Sequence, residues 1–379
     1  MVVFEALNAK HGDSLLLRYM DGGVQRLWVI DGGPPGVFKN NLHPRLEELR
    51  GDAEALRVDV AMVSHIDDDH IAGMVQLTRQ LVTLKEKGKT LPLDIQRFWH
   101  NGFHEIVGGG DLAAIMPAAN AASLAAADDK FGEIAEQFGI GTVAGQLVLA
   151  SVNQGMDLLA DIGTLEIPLN EPIGRRIEAP RTIPLEGAKI TFLGPLKSRL
   201  DDLKQLWADA VTDGDVTRLA GLFREDLDES VTNLSSISML VEIGDKRKIL
   251  LTGDARGDDV VAGWKAAGRA VDVPFHLDIL KIPHHGSDRN ITREFLELFP
   301  ADHYVISADG KHGNPDVGTL RAMAQTLGNR RYTIHLTNRT PAMRAALDAL
   351  ENERQKPGRK FEVKMREEDA SFLAIDLDG

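Results

Sequence analysis

"MVSHIDDDHIAGM", residues 62–74, sets three consecutive aspartates between two histidines, after an apolar run and before a segment of helical spacing. Neighbouring carboxylates repel and resist ionising together. Asp67, Asp68 and Asp69 are therefore tolerated in one turn if the turn is fully solvated or if a cation lies there. The preceding "VDVAMVS" (58–64) is nearly continuously apolar, the pattern of a strand buried on both faces. From Ile71 to about Lys85 the spacing predicts a helix, with Ile71, Met74, Val75, Leu81 and Val82 along one side and Asp69 placed to cap it. His65 and Asp67 are two apart, so in an extended loop they point the same way. Asp69 and His70 follow at the helix start. These two short ligand pairs suit two adjacent metal ions, and cations invert the repulsion between the carboxylates. Asp68 points the other way, to solvent or in support of its neighbours. The competing reading is a helix cap in a solvated turn.

Composition narrows the classes of function. The chain has 379 residues, long enough for one elaborated domain or two ordinary ones, and 43% of them are hydrophobic, which supports a large core. Lys and Arg number 43 against 57 Asp and Glu, a net charge of −14. A chain this acidic does not hold nucleic acid through its overall field, so any such contact needs a local basic groove or bound cations. With no cysteine, thiolate catalysis, disulfides and Cys-ligated zinc are excluded. The N-terminal stretch carries charges too early for a signal peptide. The longest apolar run, at 112–127, is broken by Pro117 and Asn120 and is too short to span a membrane. The expectation is a cytoplasmic protein with no membrane contact.

Outward from the opening motif, "SLLLRY" (14–19) and "RLWVID" (26–31) flank "MDGGVQ", which has hairpin-turn chemistry. "DGGPPG" (31–36) ends the second strand, and Asp31 is expected to make a turn hydrogen bond. Residues 86–185 are less regular and read as an insertion over the active-site face. Residues 196–230 read as an acidic helical insertion, with Leu196, Leu200, Leu203 and Trp207 in register. From 236 onward strands alternate with helices: a hairpin around "GDKR" (244–247), then strands at 277–283, 303–307, 331–337 and 361–365. Helices fall between them at about 256–268, 291–299 and 316–327. This alternation predicts α/β layers.

Further motifs stand at strand ends. "ILLTGDA" (249–255) ends an apolar strand on Asp254, "LKIPHHGS" (280–287) carries His284, His285 and Ser287, "NLSSISMLV" begins at Asn233, and "VISADGKHGNPD" (305–316) holds His312 and Asn314. Taken in order with "SHIDDDHIAGM" and "HGDSLLLRY…LWVIDGG", these resemble the motifs of the metallo-β-lactamase superfamily, whose common metal loop is H-x-H-x-D-H. The form with Asp67 in place of the second His is similar to the hydrolase domain of bacterial competence DNA-uptake channels, the ComEC-like branch. The resemblance spans most of the chain in pieces, leaving out 86–185 and 196–230.

It implies a single α/β domain, a four-layer αββα sandwich with helical insertions. It implies metal ligands at His65, Asp67, Asp69, His70 and Asp254, with Asp254 bridging, and a catalytic proton donor at His284 or His285. Ser287 or nearby backbone donors would stabilise developing negative charge, and Asp69 belongs to the catalytic set as well as the ligand set. Asn233 and Asn314 stand where the family usually has His, with His312 as a substitute. Those departures shift the ligands toward oxygen, so one or two divalent ions are expected, Mn²⁺ level with Zn²⁺ and Mg²⁺ as a third option. The expected activity is that of a metal-dependent nuclease or phosphodiesterase acting on nucleic acid, an effector of a bacterial defence system regulated by a protein partner such as a protease or sensor. The alternatives are a hydrolase of a small ester, lactone or lactam, and a non-catalytic binding subunit on the same scaffold. His100 and His104 in "WHNGFHE" (99–105) have helical ligand spacing, but Gly102 between them favours a structural role. The basic stretches "NRRY" (329–332) and "QKPGRK" (355–360) read as solvated turns or phosphate contacts.

Overall fold

The computed structural model describes residues 1–102, 143–213, 233 and 235–378. Two sheets face each other. The first has six strands in the order β16 (Phe372–Asp376), β1 (Val2–Leu7), β2 (Leu15–Asp21), β3 (Val24–Ile30), β5 (Val60–Met62) and β7 (Phe98–Trp99). The second has eight, running from β15 (Lys360–Met365) through β14 (Arg331–Leu336), β13 (Ala301–Ile306), β12 (Leu277–Lys281), β11 (Arg247–Leu251), β10 (Ser238–Ile243) and β9 (Ala188–Gly194) to β8 (Arg181–Leu185).

Strand alternation sorts the side chains into three cores. Leu15, Leu17 and Tyr19 of β2 point toward the second sheet, while Leu16 points out. Met239 and Val241 of β10 meet the first group, and Leu240 faces the opposite way. Residues two apart share a face, so each strand feeds two cores. The outer core of the first sheet is closed by α1 (His43–Arg50), α2 (Asp68–Glu86), α3 (Val143–Leu165) and α4 (Lys197–Asp213), through residues such as Leu46, Met74, Leu158 and Leu200. The outer core of the second is closed by α5 (Gly257–Ala266), α6 (Arg293–Leu298), α7 (Val317–Leu327) and α8 (Arg344–Arg354), through Trp264, Phe295, Met323 and Leu350. The layer order is therefore αββα, as expected.

Several elements differ from their sequence patterns. The apolar run 58–64 is not one strand. It divides at Asp59 into β4 (Leu56–Val58), paired with β6 (Leu93–Ile95) in a separate two-stranded sheet, and β5 in the main sheet. Asp59 is buried, accepts the Leu27 amide at 3.0 Å and pairs with Arg26 at 3.0 Å, so its carboxylate takes the place of a ladder bond. The hairpin of β2 and β3 runs to Asp21 and Val24, because Gly22 and Gly23 both take the positive φ of a tight turn. Of the segment 86–185, residues 103–142 lie outside the described residues. Its ends belong to the core: Phe98 and Trp99 complete the first sheet, and Leu158 and Ile162 pack beneath it. In 196–230, Leu200 and Leu203 are buried as expected, while the Trp207 side chain and residues 214–232 lie outside the described residues. No described helix is long and apolar enough to cross a membrane.

Candidate metal centre

The candidate centre lies at one end of the seam between the sheets. The loop after β5 supplies its first wall. Helix α2 begins at Asp68, with Asp67 as its N-terminal boundary, so Asp69 sits inside the first turn instead of capping it. The Asp67 backbone carbonyl accepts the amides of His70 and Ile71 at 2.9 and 3.0 Å, and its side chain does not cap the helix. Three glycines allow the close approaches that set this loop. A Cβ on Gly73 would lie 1.9 Å from the Gly32 carbonyl oxygen, and one on Gly12 would lie 1.9 Å from that of Asp69. The "DGG" turn thus seats against the first turns of α2, where the Gly32 amide donates to the His70 carbonyl at 2.8 Å. Asp68 faces α3, accepting Gln154 Nε2 at 2.7 Å.

The second wall comes from the ends of β11 and β12. Gly253, at φ +51°, turns the chain so that Asp254 faces the seam, and the Asp254 amide donates to Ser236 Oγ at 3.2 Å. His284 and His285 hold φ of +46° and +54°, followed by Gly286 at +88°. Two consecutive non-glycine residues in the left-handed region are strained by roughly 1–3 kcal/mol each. Each side chain is held: His284 Nδ1 lies 2.9 Å from Asn290 Oδ1, and His285 Nδ1 lies 2.8 Å from the Ser307 carbonyl.

Those partners fix the tautomers. A carbonyl only accepts, so His285 Nδ1 carries a proton, and the same holds for His284 against the Asn290 amide oxygen. His70 Nδ1 donates to Asp31 Oδ2 at 2.9 Å. Ser64 spends its hydroxyl proton on Asp31 Oδ2, so its oxygen accepts from His65 Nδ1 at 3.0 Å. All four imidazoles are therefore anchored at Nδ1 and present Nε2 inward, the orientation that suits a metal ligand. The four Nε2 atoms converge on Asp254, at 3.8 Å for His65, 3.4 Å for His70, 3.8 Å for His284 and 3.4 Å for His285. Asp69 lies 3.4 Å from His285 Nε2 and Asp67 lies 3.5 Å from His65 Nε2.

The electrostatics follow from this crowding. Burial alone would lower His70, but Asp254, Asp69 and Asp31 raise it well above its usual value. Burial likewise works against His285, which Asp254 and Asp69 nevertheless raise to about 10. Burial would raise Asp254, yet His285, His70 and His284 hold it well below the carboxylate range, and His70 and His285 do the same for Asp69.

The residues present fit divalent ions. His70 Nε2 and His285 Nε2 face each other at 3.3 Å with both Nδ1 atoms already proton-bearing, so their lone pairs collide unless a cation or a proton lies between them. His65 Nε2 is buried with no hydrogen-bond partner among the described residues. Among the described residues four groups of three could hold an ion: His65, His70 and Asp254; Asp69, His70 and His285; Asp13, Asp31 and His70; and Asp13, Asp254 and His285.

A cleft of about 560 Å³ opens onto the cluster. Asp67, Asp69, Asp254, His284, His285 and Ser287 form its floor, and His11, Asp288, Arg289, Lys311, His312, Asn314 and Asp316 stand on its walls. Lys311 Nζ lies 2.9 Å from His11 Nε2, and burial with the Lys311 charge lowers His11 to about 4, so His11 is neutral and accepts.

The motif residues His65, Asp67, Asp69, His70, Asp254, His284 and His285 are thus brought together. Asn233 is buried, its carbonyl accepting the Ser236 amide, and it does not line the cleft. His312 is exposed on the outer wall, its ring 6.1 Å from that of His11, and the Asn314 amide reaches the His284 carbonyl at 3.4 Å. His100 is buried with its backbone bracketed by Asn170, and His104 lies outside the described residues. The stretches 329–332 and 355–360 do not line the cleft.

Sequence reasoning gave Asp31 too small a role. Instead of closing its own turn it accepts the Ser64 amide at 2.7 Å, the Ser64 hydroxyl at 2.7 Å and His70 Nδ1. It also missed Asp13 and Lys281, a buried pair behind the cluster. A Gly-Asp immediately before a strand, and a lysine ending the apolar strand "LDILK", were the available signals.

No protein-family model and no curated protein matches the sequence. Among solved structures, the chain overlaps a metallo-β-lactamase with a HARLDQ motif from Cronobacter sakazakii at 13% identity and a TM-score of 0.30, covering 93% of this chain and 90% of that one. Two mutants of that protein overlap at 13% identity and a TM-score of 0.31, covering 93% of this chain and 91% and 95% of theirs. Overlaps this loose say nothing of the chemistry here.

Proposed function

We propose that this chain is a metal-dependent hydrolase that cleaves phosphodiesters, with nucleic acid as its substrate. The observation that carries the reading is the convergence of four Nδ1-anchored imidazoles on Asp254, at the floor of an open polar cleft. His65, His70 and Asp254, with Asp67 beside them, would hold one ion, and His285, whose Nε2 lies 3.4 Å from both Asp69 and Asp254, would join those two carboxylates in holding the other. Ions there would supply Lewis acidity, lowering the pKa of water and drawing charge from a phosphoryl oxygen.

The chain's own groups do the rest. Asp31 and Ser64 keep His70 and His65 presented through Nε2. His284 is the most exposed of the four imidazoles and lines the cleft, so it serves as the proton donor to the leaving oxygen, leaving His285 to the ligand cluster. Ser287 lies on the same floor as a donor to developing charge. Lys311 and Arg289 stand on the walls beside Asp288 and Asp316, so an anionic substrate would be drawn by those two cations together with bound ions, which offset the carboxylates of the floor. His65, His70 and His285 still give the ligand set three imidazoles, which favours Zn²⁺ or Mn²⁺ over Mg²⁺.

The test is cleavage of linear DNA, circular DNA and RNA by the purified chain with Mn²⁺, Zn²⁺ or Mg²⁺ supplied separately, with Asp69→Ala alongside. Metal-dependent cleavage that disappears in the variant supports the reading and names the ion. Stoichiometric metal binding without cleavage of any nucleic acid overturns the substrate and turns attention to small esters.

A further inference from the structure

Behind the ligand cluster lies a charge pair to which the hydrolytic reading gives no part. Asp13 precedes β2 in the first sheet, and Lys281 ends β12 in the second. Both are about 1% exposed, and Lys281 Nζ lies 2.6 Å from Asp13 Oδ2. The pair crosses between the sheets at the end that carries the site. Lys281 follows Ile279 by two residues, and Ile279 belongs to the inter-sheet core, so the ammonium enters from the face that Asp13 closes. Lys281 Nζ also donates to the Ile282 carbonyl at 3.0 Å. Asp13 Oδ1 approaches the anchored side of His285, 3.9 Å from Nδ1. Asp13 also lies within reach of His70 and Asp31 on one side and of Asp254 on the other.

The charges here are lopsided. Asp13, Asp31, Asp67, Asp69 and Asp254 are all buried in one small volume, and Lys281 is the one buried lysine at the cluster among the described residues. A buried charge without a counter-charge is costly. With the imidazoles neutral, as ligands must be, five carboxylates against one ammonium leave four negative charges, the amount that two divalent ions neutralise.

We propose that the buried Lys281–Asp13 pair is a fixed counter-charge that sets how strongly the ligand cluster attracts divalent ions. It rests on the metal-binding part of the reading above and extends it to residues that need not touch the ions. Removing the ammonium leaves Asp13 uncompensated and makes the cluster more negative. Removing the carboxylate leaves an ammonium beside the cluster that repels cations. The two single changes therefore act with opposite sign, whereas damage to a merely structural ion pair acts with the same sign in both.

The experiment measures Mn²⁺ and Zn²⁺ affinity of the full chain by competition with a fluorescent chelator at fixed pH and ionic strength. The variants are Lys281→Met, Asp13→Asn and the double change, each checked first by circular dichroism. Lys281→Met is expected to bind about tenfold tighter and Asp13→Asn about tenfold weaker, while the double variant returns to within about threefold of the parent. If Lys281→Met does not fold, recovery from Asp13→Asn to the double variant carries the test. Equal weakening in both single variants, or a double variant no better than Asp13→Asn, overturns the proposal. A parent that binds no divalent ion overturns the metal-dependent reading itself, so the two failures are distinct.

Discussion

The two sheets build their shares of the site in different ways. The first delivers His65, Asp67, Asp69 and His70 from one turn between a short parallel strand and a helix. The second delivers Asp254, His284 and His285 from two loops far apart in sequence, brought level because β11 and β12 run parallel. Parallel strands place their carboxyl ends on one side, where α/β sheets collect working residues. A contiguous turn is held by local backbone bonds and glycine contacts. A distributed set depends on strand register and on hydrogen bonds that pin each ring.

The sharpest way to break this comparison is at the residue both halves share. Asp254→Asn is expected to reduce activity on the order of a thousandfold and to strip metal from the purified protein, more than any single change within residues 65–70. Metal content and kcat/KM, measured beside Asp67→Asn, check that ranking.

Asp31→Asn probes the first half through its support. With one carboxylate oxygen replaced by an NH2 donor, the side chain can no longer accept both the Ser64 amide and His70 Nδ1, and metal affinity should fall about 10–100-fold. A chelator competition reads this, and a shift below threefold would mean that the α2 backbone alone holds the ring.

Gly73→Ala tests the backbone approach itself. The new Cβ meets the Gly32 carbonyl at 1.9 Å, and the resulting overpacking should cost about 1–3 kcal/mol in denaturant unfolding. Gly88, with open space around its Cβ position but φ +63°, gives a control for backbone conformation without crowding.

Treatment with a chelator sharpens the second half. His285 is raised from 6.5 to about 10, so the stability its protonation lends the metal-free protein is fully present below pH 6.5 and is lost as pH rises through about 10. Thermal melts of chelator-treated protein should therefore decline across that window, and saturating Mn²⁺ should flatten the decline, since an ion replaces the proton.

The smallest effect is expected at the cleft wall. Lys311→Ala should raise KM for a nucleic-acid substrate about threefold with kcat nearly unchanged, and lessen the dependence on salt. An equal fall in kcat would give Lys311 a part in the chemistry instead.

Much of this was legible in the sequence. The His65–His70 stretch was legible as a candidate site because two histidines and three carboxylates share one turn, and local spacing alone brings them together. Asp254 and the His284–His285 pair were legible as residues at strand ends. Strand alternation and the hairpin glycines likewise marked the two-sided burial that makes a sandwich. The tertiary structure decided the rest. It split the apolar run 58–64 at Asp59, because a buried carboxylate found Arg26 and the Leu27 amide across the sheet. It turned Asp31 from a turn residue into the anchor of His70, and it brought Asp13 and Lys281 together from opposite sheets. It also swung all four Nε2 atoms toward one carboxylate. None of these pairings is local: each depends on which strands become neighbours and in what register, and a side chain's partner across a seam leaves no trace in the spacing of its own segment.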